Sequence, residues 1–254
     1  MWACLLFILI PSILMASTGH KSIIWDKKEI KVCWLDNLPV PNNFFSTSQL
    51  KEIEGLGEFI SLDEKNKSII SSSVQSGYTK ELTGIHFTGW KTCQTDDGSD
   101  VVILIGSNGE VGTTSQGQAS LGRADADDIQ KIRGTDKRAF VFLDVGMWEP
   151  DTNWIRDDYI KFMALHEFGH IAGLRHEHIR AIEGEEWHDP LFFSVYDRRS
   201  VMNYIFMGEL EENGLAITVG KKIELSPLDV HGLRCLYVYD QENFNSLCHA
   251  DYSH

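Results

Sequence analysis

The run His166-Glu167-Phe168-Gly169-His170-Ile171-Ala172-Gly173-Leu174-Arg175-His176-Glu177 restricts the fold and chemistry of this chain more than any other stretch. Histidines four apart on a helix leave the same face one turn apart, so His166 and His170 can present both imidazoles to one point. Gly173 tolerates a positive φ, which ends the helix and swings the chain back to bring His176 in as a third ligand. Three imidazoles at a common point form a zinc-type donor set with a fourth position left open. Glu167, directly after the first histidine, lies near that position, where its carboxylate can take a proton from water. Short H-E-x-x-H matches arise by chance. The extended H-E-x-x-H-x-x-G-x-x-H form fixes four spacings at once. Any one of these histidines alone would read as a buried structural residue; the set does not.

A chain of 254 residues suffices for one sizeable domain or two lobes. Its hydrophobic fraction of 43% is that of a globular protein. The net charge of -14 argues against nucleic acid or an anionic membrane as a stable partner, since phosphates and acidic lipids would be repelled. It names no substrate.

Trp2 to Met15 is an apolar run closed by the small residues Ala16-Ser17-Thr18-Gly19, as in a secretory signal. It has no basic residue ahead of it, and a retained N-terminal anchor is the alternative reading. Residues 1–17 are expected to be the signal and 18–254 one catalytic domain, secreted or periplasmic. Beyond Cys4, the chain carries Cys33, Cys93, Cys235 and Cys248. An even number in an exported chain points to two disulfides, with three pairings open. Position along the chain favours the two local bridges, Cys33 with Cys93 and Cys235 with Cys248. Cys33 as an inhibitory thiolate on the metal is the competing reading.

Alternation of Ile30, Val32 and Trp34 with Lys31, Cys33 and Leu35 predicts a half-buried first strand. Ser46 to Phe59 is compatible with a helix, and Asp63 to Tyr78 predicts another, with Ile69, Ile70 and Val74 as its apolar contacts. Gly84 to Trp90, Val101 to Ile105 and Ala139 to Val145 read as further strands. The histidine-bearing helix is expected to start near Asp157 or Asp158, with Ile160, Met163, Ala164, Phe168 and Ile171 on its packing side. Ser226 and Asp229 make a capping signal for a last helix, with Pro227 at its first position. The acidic residues Asp96, Asp97 and Asp100, and separately Asp125, Asp127 and Asp128, lack the spacing of a calcium loop and read as solvated loops.

The extended histidine motif is the signature of the metzincin zinc peptidases, and the surrounding residues resemble their astacin branch. Glu177 follows the third histidine, with Arg180 three residues on. Ser200-Val201-Met202-Asn203-Tyr204 is similar to the family's Met-turn. Tyr196-Asp197, Leu225-Ser226-Pro227-Leu228-Asp229 and Leu236-Tyr237 are similar to bacterial astacin-like peptidases. The likeness runs from about Ile30 to Tyr237.

This resemblance implies an α+β metzincin zinc-peptidase fold. The upper lobe, about 20–173, would hold a twisted five-stranded mixed sheet with one antiparallel edge strand and two long helices. The lower lobe, about 174–254, would be irregular, with a C-terminal helix. One Zn2+ per chain would be held by His166, His170 and His176, with Tyr204 as an additional ligand that leaves when substrate binds. The Tyr204 phenol could then bond the oxyanion of the tetrahedral intermediate; a packing tyrosine is the alternative. Met202 would be an apolar floor under the histidines.

Gln118, Ala119, Ser120 and Leu121 resemble the edge strand along which peptide substrate lies, because free backbone N–H and C=O groups hold a peptide whatever its side chains. A glycine-rich surface connection is the alternative there. In astacins the residue matching Glu177 meets the buried N-terminal amine of the active enzyme. Here about ten residues separate a plausible cleavage site from the first strand, which does not fit a normal propeptide; pairing with Arg180 or another internal cation is the other reading. His178 reads as an outer or surface residue.

The resulting expectation is a monomeric, single-zinc metalloendopeptidase acting on protein or peptide substrate. Its competitor is a zinc-bearing interaction or inhibitor module without turnover, which would need neither Glu167 nor Tyr204. The pocket walls between Ile205 and Lys222 would set specificity.

Overall fold

A computed structural model describes residues 18–19, 24–36, 45, 47, 50–51, 58–59, 62–94, 97–107, 117–119, 138–144, 153–177, 191–192, 197, 199–203 and 222–248. The strands are β1 (Thr18–Gly19), β2 (Glu29–Trp34), β3 (Glu58–Phe59), β4 (His86–Thr92), β5 (Val101–Ser107), β6 (Gly117–Ala119), β7 (Ala139–Asp144) and β8 (Leu191–Phe192). The helices are α1 (Glu64–Gly77), α2 (Lys80–Thr83), α3 (Asn153–Ile171), α4 (Pro227–Tyr237) and α5 (Gln241–Leu247). Together they make a mixed α/β architecture.

The main sheet has the order β4-β2-β5-β7-β6, with β3 added alongside β5. β4, β2, β5 and β7 are mutually parallel, whereas β6 runs antiparallel to β7. β3 makes the described sheet six-stranded, against an expected five. It also corrects the helical reading of Ser46 to Phe59. Thr47, Leu50 and Lys51 are helical, but Glu58 and Phe59 pair antiparallel with Ser107 and Gly106. Gly55 and Gly57 weaken a helix just ahead of that point, and pairing at the open end of β5 wins.

β5 and β7 are apolar on both faces because both faces are covered. Val101, Ile103, Ile105, Ala139, Val141 and Leu143 join the larger core with the helices. Val102, Leu104, Phe140 and Phe142 point the other way, against Cys33 and Phe45. Cys33 is bonded to Cys93, and Cys235 to Cys248. The local pairing expected from the sequence is therefore the one formed, and Cys33 is not a free thiolate. Asp97, expected in a solvated loop, is instead buried in an ion pair with Arg138 at 3.3 Å, beside that first disulfide. Asp96 and the acidic run at 125–128 lie outside the described residues.

α1 begins where the sequence places it, and Asp63 is its cap: its side chain accepts from the backbone N of Asn66 at 2.8 Å, satisfying one of the free donors of the first turn. Ile70 and Val74 are fully buried and Ile69 packs at the rim. The helix packs on α3. α3 starts at Asn153, earlier than the expected Asp157 or Asp158. These two aspartates lie inside the helix, where they meet Lys65 and Lys161 at the surface. From Phe162 to Gly169 every residue of α3 is buried. The expected start rested on a capping aspartate, but an aspartate also sits readily on the solvent side of a helix when a lysine is beside it.

α4 carries the predicted capping box, with Ser226 and Asp229 bonded reciprocally and Pro227 in the first turn. α5 was not read from the sequence. The strand β1 pairs antiparallel with β8. No described helix is long and apolar enough to cross a membrane, and the apolar run at 2–15 lies outside the described residues.

Candidate metal centre

α3 puts His166 and His170 one turn apart, and the turn after it returns His176 to them. Gly173 has φ +92°, a conformation that L side chains rarely adopt. Its N–H bonds to the carbonyl of His170 at 2.8 Å, and Leu174 N bonds back to Gly169 O at 2.9 Å. The helix thus closes through a left-handed turn and the chain reverses.

The three imidazoles meet at their Nε2 atoms. His176 Nε2 lies 3.2 Å from that of His166 and 2.9 Å from that of His170. The opposite nitrogens face backbone carbonyls: His166 Nδ1 lies 2.6 Å from Val201 O, and His170 Nδ1 lies 2.9 Å from Leu174 O. A carbonyl only accepts, so each Nδ1 carries the proton and each Nε2 of His166 and His170 is a lone pair. One proton on His176 Nε2 can serve one of the two short contacts. A cation serves all three atoms. Tetrahedral zinc with bonds of about 2.0–2.1 Å separates its nitrogen ligands by roughly 3.3 Å, close to what is seen.

Glu167 is buried, and its Oε2 has no hydrogen-bond partner among the described residues. Burial pushes its carboxyl up to about 8. A buried, unsatisfied carboxylate oxygen costs on the order of 1–3 kcal/mol or more, so it calls for a partner that the described residues do not supply. Donor set, tautomers and orphaned oxygen fit a zinc-type ion.

Met202 is fully buried, and its thioether lies directly against α3 at Gly169. A Cβ there would collide with Met202 Sδ and stand 3.3 Å from both Met202 Cε and Tyr78 Oη. Gly169 was not singled out in the sequence. The signal was a glycine inside a helix, tolerated only for a reason.

Tyr78, at the end of α1, donates to Leu165 O at 2.5 Å, and burial raises its phenol well above the ordinary value. Asp229 was likewise not singled out as a support of the site, although it was read as a cap. Besides closing the capping box, it accepts from Ser200 Oγ at 2.6 Å and Val201 N at 3.1 Å. Val201 O is the carbonyl that orients His166. Asp229 therefore supports the backbone that fixes that imidazole. Burial pushes its carboxyl up to about 6 despite these bonds.

Glu177 is buried, accepts from Asp197 N at 3.0 Å, and donates its own N–H to Met202 O at 2.8 Å. It ties the turn after His176 to the Met202 segment. Arg180 and His178 lie outside the described residues, as do Tyr204, Ser120, Leu121 and the stretch at 205–221. Gln118 and Ala119 are in β6, at the edge of the sheet and against α3. The cluster of His231, Cys235 and Cys248 offers no thiolate, because the two cysteines are bonded to each other.

Fold and site define an α/β protein with a three-histidine group that can hold a metal ion. No family model matches the chain, and no curated protein matches it. Among solved structures it is similar to one of myroilysin, at 15% identity over 88% of this chain and 99% of that one, with a TM-score of 0.48. It is also similar to the GM1-bound form of the ECX AB5 holotoxin, at 13% identity over 87% and 88%, with a TM-score of 0.49. At such identity and TM-score these likenesses decide nothing about function, which rests on the site itself.

Proposed function

We propose that this chain is an exported, zinc-dependent endopeptidase of the astacin-like metzincin type. One observation carries the reading: three Nε2 atoms converge, and Glu167, next in the chain to His166, is buried with no partner for its Oε2 among the described residues. His166, His170 and His176 would hold one Zn2+. When bound, zinc supplies a Lewis acid that polarises a carbonyl and makes water more acidic.

The chain's own residues do the rest. Carbonyls of Val201 and Leu174 keep His166 and His170 in the ligating tautomer. Glu167 receives the proton of the attacking water at its carboxylate and delivers it to the leaving amine. β6, through Gln118 and Ala119, offers edge backbone groups that would hold an extended peptide in the cleft. Tyr204 is assigned the oxyanion contact by its place two residues after Met202. The two disulfides are compatible with an exported protein.

Purified protein should carry about one zinc per chain. Glu167→Ala should keep the zinc and lower hydrolysis of a peptide library by at least about 100-fold. Retained turnover would remove Glu167 as the base. Zinc with no hydrolysis in the unmodified protein would favour a binding module, and absence of zinc binding would end the reading.

A further inference from the structure

We infer that Trp25 and Tyr237 are positioning residues for the metal centre: they cap the end of α3 and thereby fix where His170 and His176 meet. This rests on the zinc reading above. A helix leaves its last carbonyls without intrahelical partners, and buried ones must find others.

Here each is served. Phe168 O receives Ala172 N at 2.9 Å, Gly169 O receives Leu174 N at 2.9 Å, and His170 O receives Gly173 N at 2.8 Å. Two further carbonyls are met by donors from elsewhere in the chain. Trp25 Nε1 donates to Ile171 O at 2.7 Å, and Tyr237 Oη donates to Ala172 O at 2.9 Å. The two caps also touch, since Trp25 N reaches Tyr237 Oη at 3.5 Å.

Both donors come from far along the chain, one just before β2 and the other at the end of α4. Trp25 is 6% exposed, so its indole is a seated part of the core rather than a surface ring. Tyr237 keeps its proton, because burial raises its phenol. The capped carbonyls lie between His170 and the Gly173 turn. A side chain at Gly173 would stand within 4 Å of Leu236, next to Tyr237, and of Ile24, next to Trp25. The stretch before Trp25 is also tied down, because β1 pairs with β8 and lies against α4. Loosening either cap frees the turn that delivers His176, while leaving His166 held by Val201 O.

Zn2+ affinity, measured against a chromophoric chelator, and the visible spectrum of the Co2+-loaded protein test this. Trp25→Phe and Tyr237→Phe each keep an aromatic ring but remove one donor. Each should weaken Zn2+ about tenfold, at the low end of what outer-sphere partners contribute, and alter the Co2+ bands. Tyr237→Phe deletes only a hydroxyl, so it answers even if Trp25→Phe fails to fold. Lowered thermal stability of the metal-free protein with unchanged Zn2+ affinity and Co2+ bands would overturn the inference and leave the zinc reading intact. Failure of the unmodified protein to bind Zn2+ would overturn both.

Discussion

His166 and His170 share one helix, whereas His176 arrives through a turn held by residues scattered over the chain. The first pair needs only the helix repeat to lie on one face. The second side needs Gly173 at φ +92°, Trp25 and Tyr237 on the carbonyls, and Glu177 bridging Met202 and Asp197. The contrast teaches that a ligand set can be half local and half global. The helical half should survive changes that disorder the other, because its support is the buried middle of α3.

The sharpest way to break this contrast is to remove the third ligand. His176→Ala should abolish Zn2+ retention and peptide hydrolysis, while circular dichroism shows α3 preserved. Loss of the helix with the ligand would mean that the two halves fold as one.

Next in size is the pH dependence carried by Asp229. Its carboxyl titrates near 6 in the fold against an ordinary 3.8. A raised folded value adds stability below the unfolded value, and that contribution is lost as pH rises through the folded one. Relative to Asp229→Asn, the protein should therefore lose about 3 kcal/mol of unfolding free energy between about pH 4 and pH 7. Urea titrations of both proteins at several pH values check this. Parallel curves would show that the carboxylate is better solvated by Ser200, Val201 and Ser226 than its burial suggests.

Gly169→Ala probes the floor where the two halves touch. The added methyl must displace Met202, so a loss of about 2 kcal/mol is expected from overpacking. A thermal melt reads it, and an unchanged melting temperature would mean that Met202 can move away freely. The smallest effect is expected of Tyr78→Phe, which removes one buried bond to Leu165 O on the helical side. It should cost about 1 kcal/mol in a urea titration and leave Zn2+ affinity unaltered. A weakened affinity would show that the helical half is less independent than its burial implies.

Much of the site was legible because its signals are local. The positive φ at Gly173 and the cap at Ser226 each follow from a few neighbouring residues. The shared face of His166 and His170 follows from the same short run. Less was legible where the partner is distant. Asp229 could be read as a cap but not as the support of Val201, since Ser200 and Val201 lie on another segment. Trp25 reads as one more apolar residue until Ile171 O is found against its indole. β3 escaped notice because two residues pairing at a strand end have no periodicity to detect.

Local sequence is enough to name the three histidines that can share a point, the carboxylate next to the first of them, and the place where the helix must stop. Those are consequences of the helical repeat and of a residue without a Cβ. Packing of distant segments settles which nitrogen of His166 faces that point. Its partner is the carbonyl of Val201 on another segment, whereas His170 meets Leu174 O within the same run, in a turn that Trp25 and Tyr237 cap from afar. Hydrogen bonds across such separations depend on how the whole chain packs, and no local pattern of residues encodes them.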